Sequence, residues 1–271
     1  MEQQEDFSKY NGEGTTLRKA QLRMLDILIE VDKICRKHNI PYWIDCGTLL
    51  GAVRHGGFIP WDDDMDICVM RKDYKLLRKY LTEELPDKFC FTDWTTDKYI
   101  YCRYGRVRDK NSFCDYEPFK MQREQGLWVD IFIVEKMFSM KIKKFIDFFY
   151  GRAFRETHHF GDYKYTSSFV RNRNIVIAYL MYPFILPIIG ISRLLSIFSK
   201  DLIAYSYGNT FYSRRYLSNV FPLQEIKFEG YNFLAPHNYD KHLKEIYGDY
   251  MSIPPIEKRD IILDVNKIKI W

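Results

Sequence analysis

The chain has 271 residues, 46% apolar and 28% charged, a balance that excludes a disordered polyampholyte and a collagen-like or low-complexity polymer. Lys plus Arg number 41 against 36 Asp plus Glu, and a formal charge of +5 is too mild to indicate nucleic acid as a partner. The unusual share is aromatic, 17% with 21 Tyr, 20 Phe and 5 Trp, more rings than a small soluble core needs.

From Thr15 to Asn39 apolar residues recur at Leu17, Met24, Leu25, Leu28, Val31 and Ile34 with a period near 3.6, which predicts an amphipathic helix capped by Thr15 or Thr16. A short strand follows over Pro41–Asp45, and Gly47-Thr48 opens a second helix to His55. Gly56-Gly57 breaks the chain, Met65–Met70 reads as a strand, and Arg71–Glu84 as a helix. Strands are expected at Tyr99–Arg108 and Leu127–Val134, and a last helix at Tyr239–Tyr247, ended by Gly248. The resulting organisation is α/β. A catalytic core over 1–137 is followed by a mostly helical, aromatic and basic insert over 138–220, and 221–271 completes the core.

The six cysteines, Cys35, Cys46, Cys68, Cys90, Cys102 and Cys114, contain no C-x-x-C pair, so no zinc site is expected. The acidic opening, Met1 to Asp6, lacks an apolar leader, so reduced thiols and a cytoplasmic protein are expected.

The informative segment is Pro60-Trp61-Asp62-Asp63-Asp64-Met65-Asp66-Ile67. Four carboxylates in five residues repel one another unless water or cations neutralise them. If the strand began at Asp62, alternation would set Asp62, Asp64 and Asp66 on one face, a hard-oxygen site suited to Mg2+ or Mn2+ with a phosphate substrate. An exposed acidic turn is the plainer alternative. A calcium loop fails, because Ile67 stands where glycine is needed and Asp73 where glutamate is needed.

Upstream, Gly47 allows a ligand close to the backbone, and the helix it opens presents free N–H groups to an anion. Strand, Gly-Thr turn, short helix and aspartate-bearing strand, in that order, follow the logic of the nucleotidyltransferase superfamily, which needs a third carboxylate on a later strand. Asp130, a lone charge in Leu127-Trp128-Val129-Asp130-Ile131-Phe132, is the candidate; a nearby arginine partner is the alternative.

The stretch from Tyr42 to Asp66, with Arg106-Val107-Arg108-Asp109-Lys110-Asn111-Ser112, Trp128-Val129-Asp130-Ile131-Phe132 and Tyr247-Gly248-Asp249-Tyr250 before Pro254-Pro255, resembles the LicD family of phosphotransferases, relatives of the fukutin-type enzymes. The likeness covers residues 17–135 and roughly 225–259. It implies a nucleotidyltransferase-like mixed sheet and metal-dependent transfer of phosphocholine, or of a polyol phosphate such as ribitol phosphate. The donor would be CDP-choline or another CDP-linked compound, and the acceptor a cell-surface or lipid-linked glycan. Carried over by motif, Asp64, Asp66 and Asp130 would be catalytic and, with Asp62, metal ligands. Gly47 and Thr48 would hold the donor phosphates, Arg106 or Arg108 would neutralise the diphosphate, and Arg54 and His55 belong to the same motif. A strand's solvated face is the alternative for the two arginines, and a polar pair closing a short helix for Arg54 and His55. Rival activities are nucleotidyl transfer to a small molecule and a D-x-D glycosyltransferase; the non-enzyme rival is a membrane-bound scaffold.

Between Phe138 and Lys200 stand ten Lys or Arg against three acids, a surplus of seven that exceeds the charge of the whole chain. Within it Asn174–Ser192 carries no charge and approaches the length of a membrane span, while Pro183, Pro187 and Gly190 are expected to break a straight helix. A monotopic or re-entrant element at an anionic membrane surface is expected, peripheral at the inner face. Phe145, Phe148, Phe149, Tyr150 and Phe154 would be its interfacial rings; a buried helix pair is the alternative.

Overall fold

The computed structural model describes residues 6–157, 167–199, 201–259 and 263–271. In chain order its elements begin with α1 (Ser8–Asn11), α2 (Thr16–Lys37), β1 (Tyr42–Ile44), α3 (Cys46–His55), β2 (Asp66–Met70) and α4 (Arg71–Glu84). There follow β3 (Phe89–Thr92), β4 (Gly105–Asp109), β5 (Ser112–Cys114), β6 (Trp128–Lys136), α5 (Met140–Thr157) and α6 (Ser168–Leu195). The chain closes with β7 (Leu202–Tyr205), β8 (Arg215–Tyr216), α7 (Leu217–Val220), β9 (Gln224–Phe228), β10 (Tyr231–Ala235), α8 (Tyr239–Tyr247) and β11 (Ile268–Ile270).

Seven strands form one mixed sheet in the order β1-β2-β6-β4-β3, with β7 and β8 added beyond the far end of β6. β2 and β6 run parallel and every other pairing in it is antiparallel. Because strand side chains alternate, β6 sends Val129, Ile131 and Ile133 to one face and Asp130, Phe132 and Val134 to the other. The first face is closed by α2 and α4: Met24, Leu28, Val31 and Leu77 are buried against Ile44, Ile67, Val107 and Ile131. Thr15 caps α2 as expected, its side chain accepting from Arg18 N–H at 3.2 Å. The second face carries a smaller apolar group, Trp43, Cys68, Phe132, Val134 and Tyr205, and leaves its other end open.

Three expectations change. The strand expected over Tyr99–Arg108 is regular only from Gly105. β2 begins at Asp66, one residue inside the expected Met65–Met70 strand, with Met65 O still accepting from the Asp130 N–H at 2.8 Å, so Asp62 and Asp64 lie in the loop before it and strand alternation does not align them. The segment that closes the insert belongs to the core: β7 pairs with Val134–Lys136 of β6, and β8 pairs with β7. The excursion from the sheet is therefore the α5–α6 hairpin alone, and Glu135, near the expected boundary, is buried beneath Arg193 at 2.7 Å.

Within the hairpin α6 continues as one helix through Pro183 and Pro187, both exposed, rather than breaking there. Of the rings expected at an interface, Phe145 and Phe148 are exposed. Tyr150 and Phe154 instead turn inward and are buried, because the Arg103 guanidinium stacks over both rings, at 5.5 and 4.9 Å.

Candidate active site

The open half of the second sheet face holds a row of charged residues set by strand register. Asp66 of β2 lies opposite Asp130 of β6, and Asp130 lies opposite Arg106 of β4. Neighbouring strands are about 4.8 Å apart, so the three side chains stand together. Arg106 donates from Nε to Asp130 Oδ1 at 2.6 Å and from Nη2 to the Tyr104 hydroxyl at 3.0 Å. Asp130 thus has an arginine partner and also faces the cavity. Burial works against the charge of Arg106, but Asp130 holds the guanidinium firmly protonated.

Asp62 and Asp64 reach the same place from the loop before β2. That loop is fixed by Gln21, whose side-chain amide donates to the Asp62 carbonyl at 2.9 Å. Gly47 leaves room for this carboxylate, since a Cβ at that position would stand 2.7 Å from Asp62 Oδ2 and displace it. Asp63 points elsewhere and accepts from the Leu263 backbone N–H. Asp62, Asp64 and Asp66 have like charges as their dominant neighbours. Burial first, then Asp64 and Asp63, push Asp62 well above the carboxylate range; burial, then Asp64 and Asp130, do the same to Asp66. Asp64 is raised to about 7 by burial, then by Asp130 and Asp63.

Such a group fits a hard divalent cation, being all-oxygen, anionic and held by rigid elements. Among the described residues no three His, Cys, Asp or Glu side chains are gathered as a finished cage.

The cavity above the row measures about 860 Å3. Gly47 lines it, but Thr48 does not: it is buried, with its hydroxyl accepting from the Asp66 N–H at 2.8 Å, so it fixes the start of β2. Arg54 lines the cavity and donates to the Tyr250 and Ser252 carbonyls at 2.9 and 3.2 Å, tying α3 to the segment after α8. His55 turns away and accepts from Arg54 Nε at 2.9 Å; burial and the neighbouring guanidinium lower it to about 4, so it is neutral. Arg108 is fully buried rather than solvated, donating to Gly126 O and Gln122 Oε1 at 3.0 and 2.9 Å, 4.2 Å from the Phe119 ring centre. It therefore supports the wall instead of meeting a diphosphate.

Rings supply much of the remaining wall. Tyr104, Phe132, Tyr205 and Phe211 form one cluster, with Phe132 4.5 Å from Tyr104 and 4.7 Å from Tyr205. Phe132 lies two residues beyond Asp130 on the same side of β6, so this aromatic surface adjoins the carboxylates.

Sequence reasoning missed a second charged group beside the first. Asp45 donates its N–H to Asp66 O at 3.1 Å and is wholly buried. Its side chain accepts from Arg215 Nε at 2.8 Å and Cys68 Sγ at 3.1 Å, and meets His242 Nε2 at 2.7 Å. Burial opposes its charge, but Arg215 and His242 hold the Asp45 carboxyl far below the usual range. Arg215 and His242 come from segments remote in sequence with no local pattern; only the lone charge in Tyr42-Trp43-Ile44-Asp45 could have signalled a partner. All six cysteines are free thiols. Cys46 lines the cavity, yet burial and Asp45 push its thiol up, away from thiolate chemistry.

The chain is similar to several known proteins. The nucleotidyltransferase domain of the LicD/FKTN/FKRP family matches residues 39–166. The lipopolysaccharide cholinephosphotransferase LicD of Haemophilus influenzae is 28% identical over 269 residues, covering 89% of this chain and 94% of that protein. An uncharacterised protein of Rickettsia prowazekii is 42% identical over 79 residues, 29% of this chain and 28% of its own. The human ribitol 5-phosphate transferase FKRP is 50% identical over 35 residues, 13% of this chain and 7% of its own.

Proposed function

We propose that this chain, similar to the LicD family over residues 39–166 and to a cholinephosphotransferase over most of its length, moves phosphocholine, or a polyol phosphate, from a CDP-linked donor to a glycan hydroxyl. The observation that carries this reading is the row Asp66, Asp130 and Arg106, joined by Asp62 and Asp64, at the floor of a cavity large enough for such a donor. Its similarity to a cholinephosphotransferase over most of both chains supports the same class of reaction.

Asp64, Asp66 and Asp130, with Asp62 beside them, are the groups that would hold magnesium or manganese. The chemistry supplied there is neutralisation of the diphosphate and of the charge that develops on CMP as it leaves. Gly47, in the first turn of α3 and lining the cavity, would let the phosphates approach the backbone. Arg106 orients Asp130, leaving Asp130 Oδ2 to take the proton of the acceptor hydroxyl. The acceptor oxygen bonds in line to the phosphorus bearing the headgroup, the bond from that phosphorus to CMP breaks, and CMP departs. Of the adjoining rings Phe211 is the exposed one, and it offers a trimethylammonium group the π-face such cations favour, which makes choline the favoured headgroup.

The test incubates the purified chain and magnesium with CDP-choline, CDP-ribitol or CDP-glycerol, with and without glycan, and follows CMP. CMP release dependent on Asp64 and Asp66 is expected; full turnover in Asp64→Asn or Asp66→Asn overturns the reading. Pyrophosphate release with the nucleotide attached to a small acceptor would mark nucleotidyl transfer instead.

A further inference from the structure

Helix α6 is 28 residues long, about 42 Å at 1.5 Å per residue. One narrow stripe packs on the protein: Ile185 and Ile189 are buried against α5, and the Ser192 hydroxyl meets that of Tyr207 at 2.8 Å. Around the remaining circumference the helix is still apolar, with Leu180, Phe184, Ile188 and Ile191 between 40% and 69% exposed. Only 18% of its most apolar stretch is buried. A helix apolar all round belongs either in a protein core or in lipid, and a core helix is not left bare in this way.

The neighbouring helix continues the surface. Phe145 and Phe148 of α5 are 60% and 63% exposed, with Lys141 and Lys144 exposed beside them. The segment from 138 to 200 carries ten basic residues against three acidic. A second copy of the chain would bring the same positive surplus against this one, whereas anionic headgroups would complement it.

We propose that the α5–α6 hairpin seats the protein on an anionic bilayer, lying in the plane of one leaflet with its apolar surface among the upper acyl chains. An in-plane seat follows from the company α6 keeps. Its C-terminal end is bolted to the catalytic sheet through Arg193 and Glu135 at 2.7 Å, and alongside it α5 carries the buried Lys143–Asp147 pair. A spanning helix would drag both into hydrocarbon.

The seat also reaches the cavity. Lys143 donates to the Asn209 carbonyl at 2.8 Å, Gly208 N–H donates to Asp147 at 2.8 Å, and Phe211, two residues beyond Asn209, lines the cavity wall. The hairpin and the site therefore share one loop, an arrangement suited to an acceptor presented from the lipid surface.

The experiment floats the full chain on a density gradient with vesicles of phosphatidylcholine alone or mixed with phosphatidylglycerol. The chain is expected to rise with the mixed vesicles, to rise less with the neutral ones, and to be released by alkaline carbonate. Leu180→Glu/Phe184→Glu is expected to remain at the bottom with an unchanged thermal unfolding midpoint, since both side chains are exposed. The proposal is overturned if the parent chain stays at the bottom with the mixed vesicles, or if the double variant floats equally well. Retention after carbonate would replace the in-plane seat by a spanning one. A parent dimer that the double variant splits into monomers would assign the surface to a second copy.

Discussion

Asp45 and Asp66 are neighbours across the edge of one sheet, the first wholly buried and the second half-buried in the cavity wall, and their surroundings are opposite. Asp45 has Arg215, His242 and Cys68 on its oxygens, and its carboxyl is held low. Asp66 shares its space with Asp62, Asp64 and Asp130, and its carboxyl is driven up. A buried charge that is fully partnered is part of the scaffold, while a buried group of like charges with one guanidinium among them is a site prepared for something positive. The comparison separates structural from functional aspartates more sharply than the acidic motif does.

The largest effect should come from breaking the partnered side. Arg215→Met leaves Asp45 buried without its ion pair, and a loss of about 3–5 kcal/mol is expected in urea unfolding. Asp45→Asn in the same chain should recover part of it. On the unpartnered side the sign reverses. Asp66→Asn removes a repelled carboxylate, so in chelator the variant should be about 0.5–2 kcal/mol more stable than the parent while losing CMP release.

The two groups also divide the pH axis. Asp64, raised from 3.8 to about 7, binds more protons folded than unfolded between those values, so without divalent cation stability should fall as pH rises through that window. Asp45, held below its ordinary 3.8, contributes stability above that value which is lost as pH falls beneath it. A mildly acidic optimum in chelator is expected from thermal melts, moving toward neutrality when magnesium is added; an optimum unmoved by magnesium would count against the cation site. The smallest effect is expected at the aromatic wall, where Phe211→Leu should raise KM for CDP-choline roughly two- to fivefold, the worth of about 0.5–1 kcal/mol of cation–π contact, and leave CDP-ribitol unchanged.

Much was legible in the chain by itself. The period of α2, the short helix that follows β1 and ends at His55, the helix at Arg71–Glu84 and the lone charge of Asp130 in an apolar run each follow from local pattern, because helix and strand periodicities are written at short range. So was the need of Asp62, Asp64, Asp66 and Asp130 for a counter-charge, since repulsion among close carboxylates and the cost of a solitary buried charge are properties of the residues; the structure lines one cavity with all four. What only the tertiary structure decided lies in pairs distant in sequence. Arg215 and His242 come to Asp45 from positions 170 and 197 residues away. β7 returns to β6 and moves the end of the insert back into the core. Alternation alone put Arg106 and Arg108 on one face and could not tell them apart. Register against Asp130 brought the first to the cavity, and packing between Phe119 and Gln122 withdrew the second into the wall. Sequence determines which groups must find a counter-charge, because that need is intrinsic to each side chain; the fold decides which of them find it within the protein and which must take it from a ligand.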